Sequence, residues 1–167
     1  MGRVTLNGAH LHLMLIHFPI AGTILAVPLL ATAWRLKNET LKLTGLSMVV
    51  VVGLLGYAAF LSGGEAGGIV RNFPNVIKGS IHEHAEAADW AIWFLALNAL
   101  LSVFGLFTFL KHRKVSQWVF TAVMLLTLFS TTVLLRVAYL GGNIQHIETR
   151  DGFPAVEGEP KNLNVDK

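Results

Sequence analysis

The chain has 167 residues, 53% of them hydrophobic and only 14% charged, against roughly 25% charged in an average soluble domain. With no cysteine, disulfides, thiolate zinc or iron–sulfur sites, a catalytic thiol and covalent haem attachment through C-x-x-C-H are excluded. The net charge of +3 is small, and the basic residues form short clusters beside apolar runs, which argues against nucleic acid as a partner.

Four apolar runs have the length a helix needs to cross a bilayer, about 20 residues. They extend from about Leu11 to Trp34, Leu43 to Leu61, Trp90 to Leu110 and Val115 to Leu140. None shows strand alternation, and the first lacks the small-x-small cleavage site that would follow a signal peptide. The expected fold is all-α, an integral membrane four-helix bundle embedded in the lipid bilayer. Gly45, Gly53 and Gly56 are read as close-packing positions, and Trp34, Trp90, Trp93 and Trp118 as markers of the bilayer interfaces.

Arg35, Lys37 and Lys42 join the first two runs, and Lys111, Arg113 and Lys114 join the last two. The opposite side carries a longer loop, Ser62 to Asp89, and every acidic residue but Glu39. By the positive-inside rule both termini are expected on the periplasmic side of a bacterial cytoplasmic membrane.

Every histidine but His112 falls at the outer helix ends: His10, His12, His17, His82, His84 and His146. His10 and His17 share a helix face while His12 points elsewhere, and Pro19 just beyond can bend the first helix. His84 shares a face with Ala87, Ala88, Ala91 and Leu95 and so is expected to look into the bundle, whereas His82 joins Glu86 and Asp89 on an acidic surface. Tyr139, Gly142 and His146 align along the fourth helix, with Gly142 leaving room for something flat. A b-type haem fits this pattern: two neutral imidazoles from different helices on the iron, small residues and aromatics around the macrocycle. Arg136 can meet a propionate, or an acidic partner among Glu65, Glu86 and Asp89.

The stretch His12 to Ala21, H-L-M-L-I-H-F-P-I-A, resembles the H-P-x-x-V-H-F-P-I-A opening of a bacterial membrane family, domain of unknown function 2231. Ser62 to Ala66 is similar to its S/T-G-x-x-A segment, His84 to Ala88 to its H-E-x-A-A segment, and Leu140 through His146 to its L-G-G-x-x-x-x-H. Leu13 stands where that family has proline. The resemblance implies a fold like that of membrane b-type cytochromes, association with c-type cytochrome modules, and His12, His17, His84 and His146 as the shared histidines.

The expected organisation is therefore a four-helix transmembrane haem-binding-like domain over residues 1–147 and a flexible polar tail over 148–167. The expected function is an electron-transfer subunit carrying one haem b or two on the periplasmic side. A periplasmic cytochrome or a quinone would exchange electrons with it. Pairings His17–His84 and His12–His146 are expected on depth and facing. The alternatives are a non-haem iron or zinc site built on His82 and Glu86 with Glu65 or His84, and a structural anchor of a larger complex.

Overall fold

The computed structural model describes residues 7–74 and 76–146, and the expected tail lies outside them. The described residues form helices α1 (Gly8–Leu36), α2 (Glu39–Val70), α3 (Lys78–His112) and α4 (Gln117–Gln145). Each is long and apolar enough to cross a membrane. At 1.5 Å per residue, even the 29-residue helices reach about 44 Å.

Local chemistry sets the helix ends. Asn7 and Asn38 cap α1 and α2, their side-chain oxygens accepting from the His10 and Leu41 backbone N–H groups at 3.0 Å each. Lys37 and Arg113 close α1 and α3 in the left-handed region at φ 51° and 57°. These end residues carry the basic charge that the carbonyl end of a helix favours.

The segment expected to begin a long loop at Ser62 is helical instead: α2 continues to Val70, and α3 begins at Lys78. Four glycines there lower intrinsic helix propensity. Packing overrides them, because Ser62 and Ala66 are buried and Gly63 meets the His12 ring. Pro19 and Pro28 likewise lie inside α1 without ending it; Thr23 donates its hydroxyl to the carbonyls of Pro19 and Ile20.

The helices pack in a ring, α1 on α2, α2 on α3, α3 on α4 and α4 back on α1. Across one diagonal α2 and α4 touch; across the other, the α1 and α3 backbones do not approach. Small residues permit the close crossings. A Cβ on Gly53 would stand 2.7 Å from that of Ala99, and one on Gly56 would stand 2.6 Å from Leu95 Cδ1. Leu25, Leu54, Leu100 and Leu128 point outward, as bilayer-facing positions require.

Lys42, read from sequence as a loop cation, belongs to α2 and is only 4% exposed. Its Nζ lies 2.8 Å from Glu39 Oε1, donates to Gln117 Oε1 at 3.3 Å and sits over the Phe120 ring. Glu39 Oε2 in turn accepts the Val115 N–H at 2.8 Å. A buried charge survives only with such partners, and this set ties the start of α2 to that of α4. Polar side chains inside the bundle are also linked. Asn98 Nδ2 donates to Thr127 Oγ1 at 2.9 Å, and Ser102 donates to the Asn98 carbonyl.

Candidate functional site

Two imidazoles meet across the open diagonal. His12 of α1 and His84 of α3 have ring centroids 6.4 Å apart and planes at 84°. Neither expected pairing is formed by these rings: His84 stands beside His12, not His17.

Each ring is held by the neighbouring helix of its own hairpin. His12 Nδ1 lies 2.9 Å from the Ala59 carbonyl oxygen and 3.1 Å from Ser62 Oγ. Ser62 itself donates to Ala59 O at 2.7 Å, so its oxygen is free to accept from the ring. His84 Nδ1 lies 3.0 Å from the Val137 carbonyl oxygen. A carbonyl only accepts, so both Nδ1 atoms carry the proton and each neutral ring keeps its lone pair on Nε2. Neither Nε2 has a hydrogen-bond partner among the described residues.

The two sockets share a sequence pattern. In a helix, the carbonyl of residue i faces the N–H of residue i+4. Four residues after Ala59 comes Gly63, and four after Val137 comes Gly141. A Cβ on Gly63 would meet His12 Cε1 at 3.4 Å, and one on Gly141 would meet His84 Cε1 at 3.1 Å and Nδ1 at 3.2 Å. At α4 the missing Cβ of Gly141 thus lets the His84 ring lie against the helix backbone and reach a carbonyl already engaged in the helix, whereas at Gly63 a Cβ would make an ordinary contact with the His12 ring.

The remaining expected residues lie elsewhere. His17 is exposed on the outer surface, its Nδ1 2.7 Å from the Leu13 carbonyl of its own helix. His146 caps the C-terminus of α4, its backbone N–H on the Gly142 carbonyl, nine residues past Val137. Gly142 faces open space, so the glycine that meets an imidazole is its neighbour Gly141. Tyr139 is 53% exposed. Arg136 is exposed in a groove between α3 and α4 that Glu83, Glu86, Trp90 and Val133 also line.

The non-haem alternative is not assembled. Among the described residues no three histidine, aspartate or glutamate side chains come together as an ion site. His82 and Glu86 are exposed, while Glu65 packs against Gly8 of α1.

No protein family, curated protein or solved structure matches the chain.

What the site can do follows from its donors. Two imidazoles that would share one metal ion, with bonds near 2 Å and about 1.1 Å from nitrogen to ring centre, would have centroids at most roughly 6 Å apart. The 6.4 Å separation is close to that span and exceeds the roughly 5 Å of a direct N–H···N bond between rings. Histidines that ligate metals commonly donate their other ring N–H to a backbone carbonyl, which fixes the tautomer and strengthens the ligating nitrogen. Both rings therefore offer Nε2 as the nitrogen that could bind a metal.

Sequence reading placed His12 and His84 among the candidates and included Ser62, Gly63 and Gly141 only within motif stretches, with no role; it missed Ala59 and Val137. A histidine and a glycine on neighbouring helices carry no mutual signal in sequence. Only the repeated small residues near the outer ends of α2 and α4 hint at the sockets.

Proposed function

We propose that the chain is a b-type cytochrome-like electron-transfer subunit of a bacterial cytoplasmic membrane, with one haem b between His12 and His84. The carrying observation is the His12–His84 pair, each ring pinned through Nδ1 to the partner helix of its hairpin and each Nε2 unpartnered among the described residues. When bound, haem supplies a one-electron iron couple. The chain contributes the rest. Ala59 and Val137 carbonyls hold the two rings in the ligating tautomer, and Gly63 and Gly141 keep the helix surfaces beneath them free of side chains. Arg136 is the cation offered to a propionate, in competition with Glu83 and Glu86.

His12 and His84 lie four and six residues into their helices, about 6 and 9 Å from the ends. The basic residues Arg35, Lys37, Lys111, Arg113 and Lys114 gather at the opposite end. By the positive-inside rule this supports a periplasmic position for the imidazoles, where a periplasmic cytochrome or a quinone would exchange electrons.

The test is the absorption spectrum of the purified protein, with haem quantified as its pyridine complex. One haem per chain is expected, lost in His12→Ala and in His84→Ala and retained in His17→Ala. A colourless protein carrying stoichiometric zinc or iron would overturn the reading, and so would a spectrum that survives loss of both His12 and His84.

A further inference from the structure

His17 faces the bilayer side of α1, nine residues or about 14 Å from the start of the helix. Polar groups at such depth normally turn inward or find a partner. Here Nδ1–H is used by the Leu13 carbonyl at 2.7 Å, so the neutral ring presents an acceptor, Nε2, that no described residue satisfies. The imidazole stands at the rim of a groove of about 630 Å³ between α1 and α2. Ala21, Leu25, Met48, Val51 and Leu55 are among its walls, and its floor rises where Val52 closes against Gly22. Along α1 the walls run from His17 to Leu25, about 12 Å.

The groove therefore asks for a long apolar tail whose head donates a hydrogen bond. Ester carbonyls of a phospholipid cannot donate. His17 is also five residues from His12, about 7.5 Å along α1 but on the outward side of that helix, so a redox-active head at His17 would stand about one helix width from the imidazole pair. We propose that this groove binds an isoprenoid quinol, its tail along the apolar walls and one hydroxyl donating to His17 Nε2. The oxidised quinone offers only carbonyl acceptors there, so the site prefers the reduced form. The identification of the head as redox-active rests on the electron-transfer reading; the groove and its acceptor do not.

The experiment titrates the full chain in phosphatidylcholine nanodiscs with a decyl-substituted benzoquinol, its quinone form and decanol, following binding by calorimetry. The ring nitrogens of His17 are followed by ¹⁵N NMR. Saturable binding of one quinol per chain is expected, tighter than quinone or decanol, with a shift of the His17 Nε2 resonance. His17→Leu should weaken it roughly 3- to 10-fold, the range for one hydrogen bond, and Ala21→Phe should block the groove. Equal affinity for quinol and quinone would overturn the proposal, as would equal affinity for decanol or unsaturable partitioning; those comparisons need no variant. Failure here with the haem spectrum intact removes the quinol site alone. Quinol binding by a haem-free chain would remove the cytochrome reading instead.

Discussion

Adjacent glycines in α4 allow a controlled test of the histidine socket. Gly→Ala in an open helical position stabilises by about 0.5–1 kcal/mol, because alanine loses less backbone entropy on folding. Gly142 is such a position, with nothing within 4 Å of a would-be Cβ. At Gly141 the new methyl would stand 3.1 Å from His84 Cε1 and 3.2 Å from Nδ1, against ordinary carbon contacts of about 3.5–4.0 Å. The ring must retreat by a few tenths of an ångström. Retreat takes the His84–Val137 hydrogen bond from its present 3.0 Å toward lengths of about 3.5 Å, where little of it remains. Losing that bond costs about 0.5–1.5 kcal/mol, which cancels or exceeds the helical gain. Thermal unfolding in one detergent should therefore show Gly142→Ala stabilised and Gly141→Ala unchanged or destabilised, a gap of about 1 kcal/mol. The ¹⁵N signals of His84 should move only in Gly141→Ala. Equal stabilisation of both variants, with His84 undisturbed, would refute the socket.

Other positions give sharp expectations. Lys42→Met should destabilise by about 2 kcal/mol, since Glu39 loses its partner while remaining only partly exposed; adding Glu39→Gln should recover part of the loss in a double-mutant cycle. Thr127→Val should cost roughly 0.6 kcal/mol, a typical interhelical hydrogen bond in a membrane. Asn98→Leu should be nearly neutral, because it also removes Asn98 Oδ1, which is buried without a partner among the described residues; chemical unfolding of the two variants checks this. Gly53→Leu should force α2 from α3 where they cross and cost about 1–3 kcal/mol or more, read as a lowered melting temperature and, in the loaded protein, a changed spectrum.

The four spans were legible because a bilayer imposes length and apolarity, and both survive in plain composition. Their outer ends were less so. Ser62 to Val70 looks like a loop by glycine content, yet its small residues are what the His12 ring and the neighbouring helix need. Facing was read correctly for His84 and His82, because one helix fixes its own periodicity. Pairing was not readable, because it depends on which helices stand opposite, and α1 and α3 are joined across a diagonal by side chains alone. Lys42 was hidden by its setting: a lysine near a basic turn gives no sign that Glu39, Gln117 and Phe120 will enclose it.

The recurrence of one device in both hairpins has a consequence for assembly. Each antiparallel pair, α1 with α2 and α3 with α4, brings its own imidazole already clamped on a backbone oxygen over a glycine. Neither half holds both members of the His12–His84 pair. A prosthetic group seated at the join would be gripped only after the two halves have docked, so its capture would report completed folding as well as equip the protein for work.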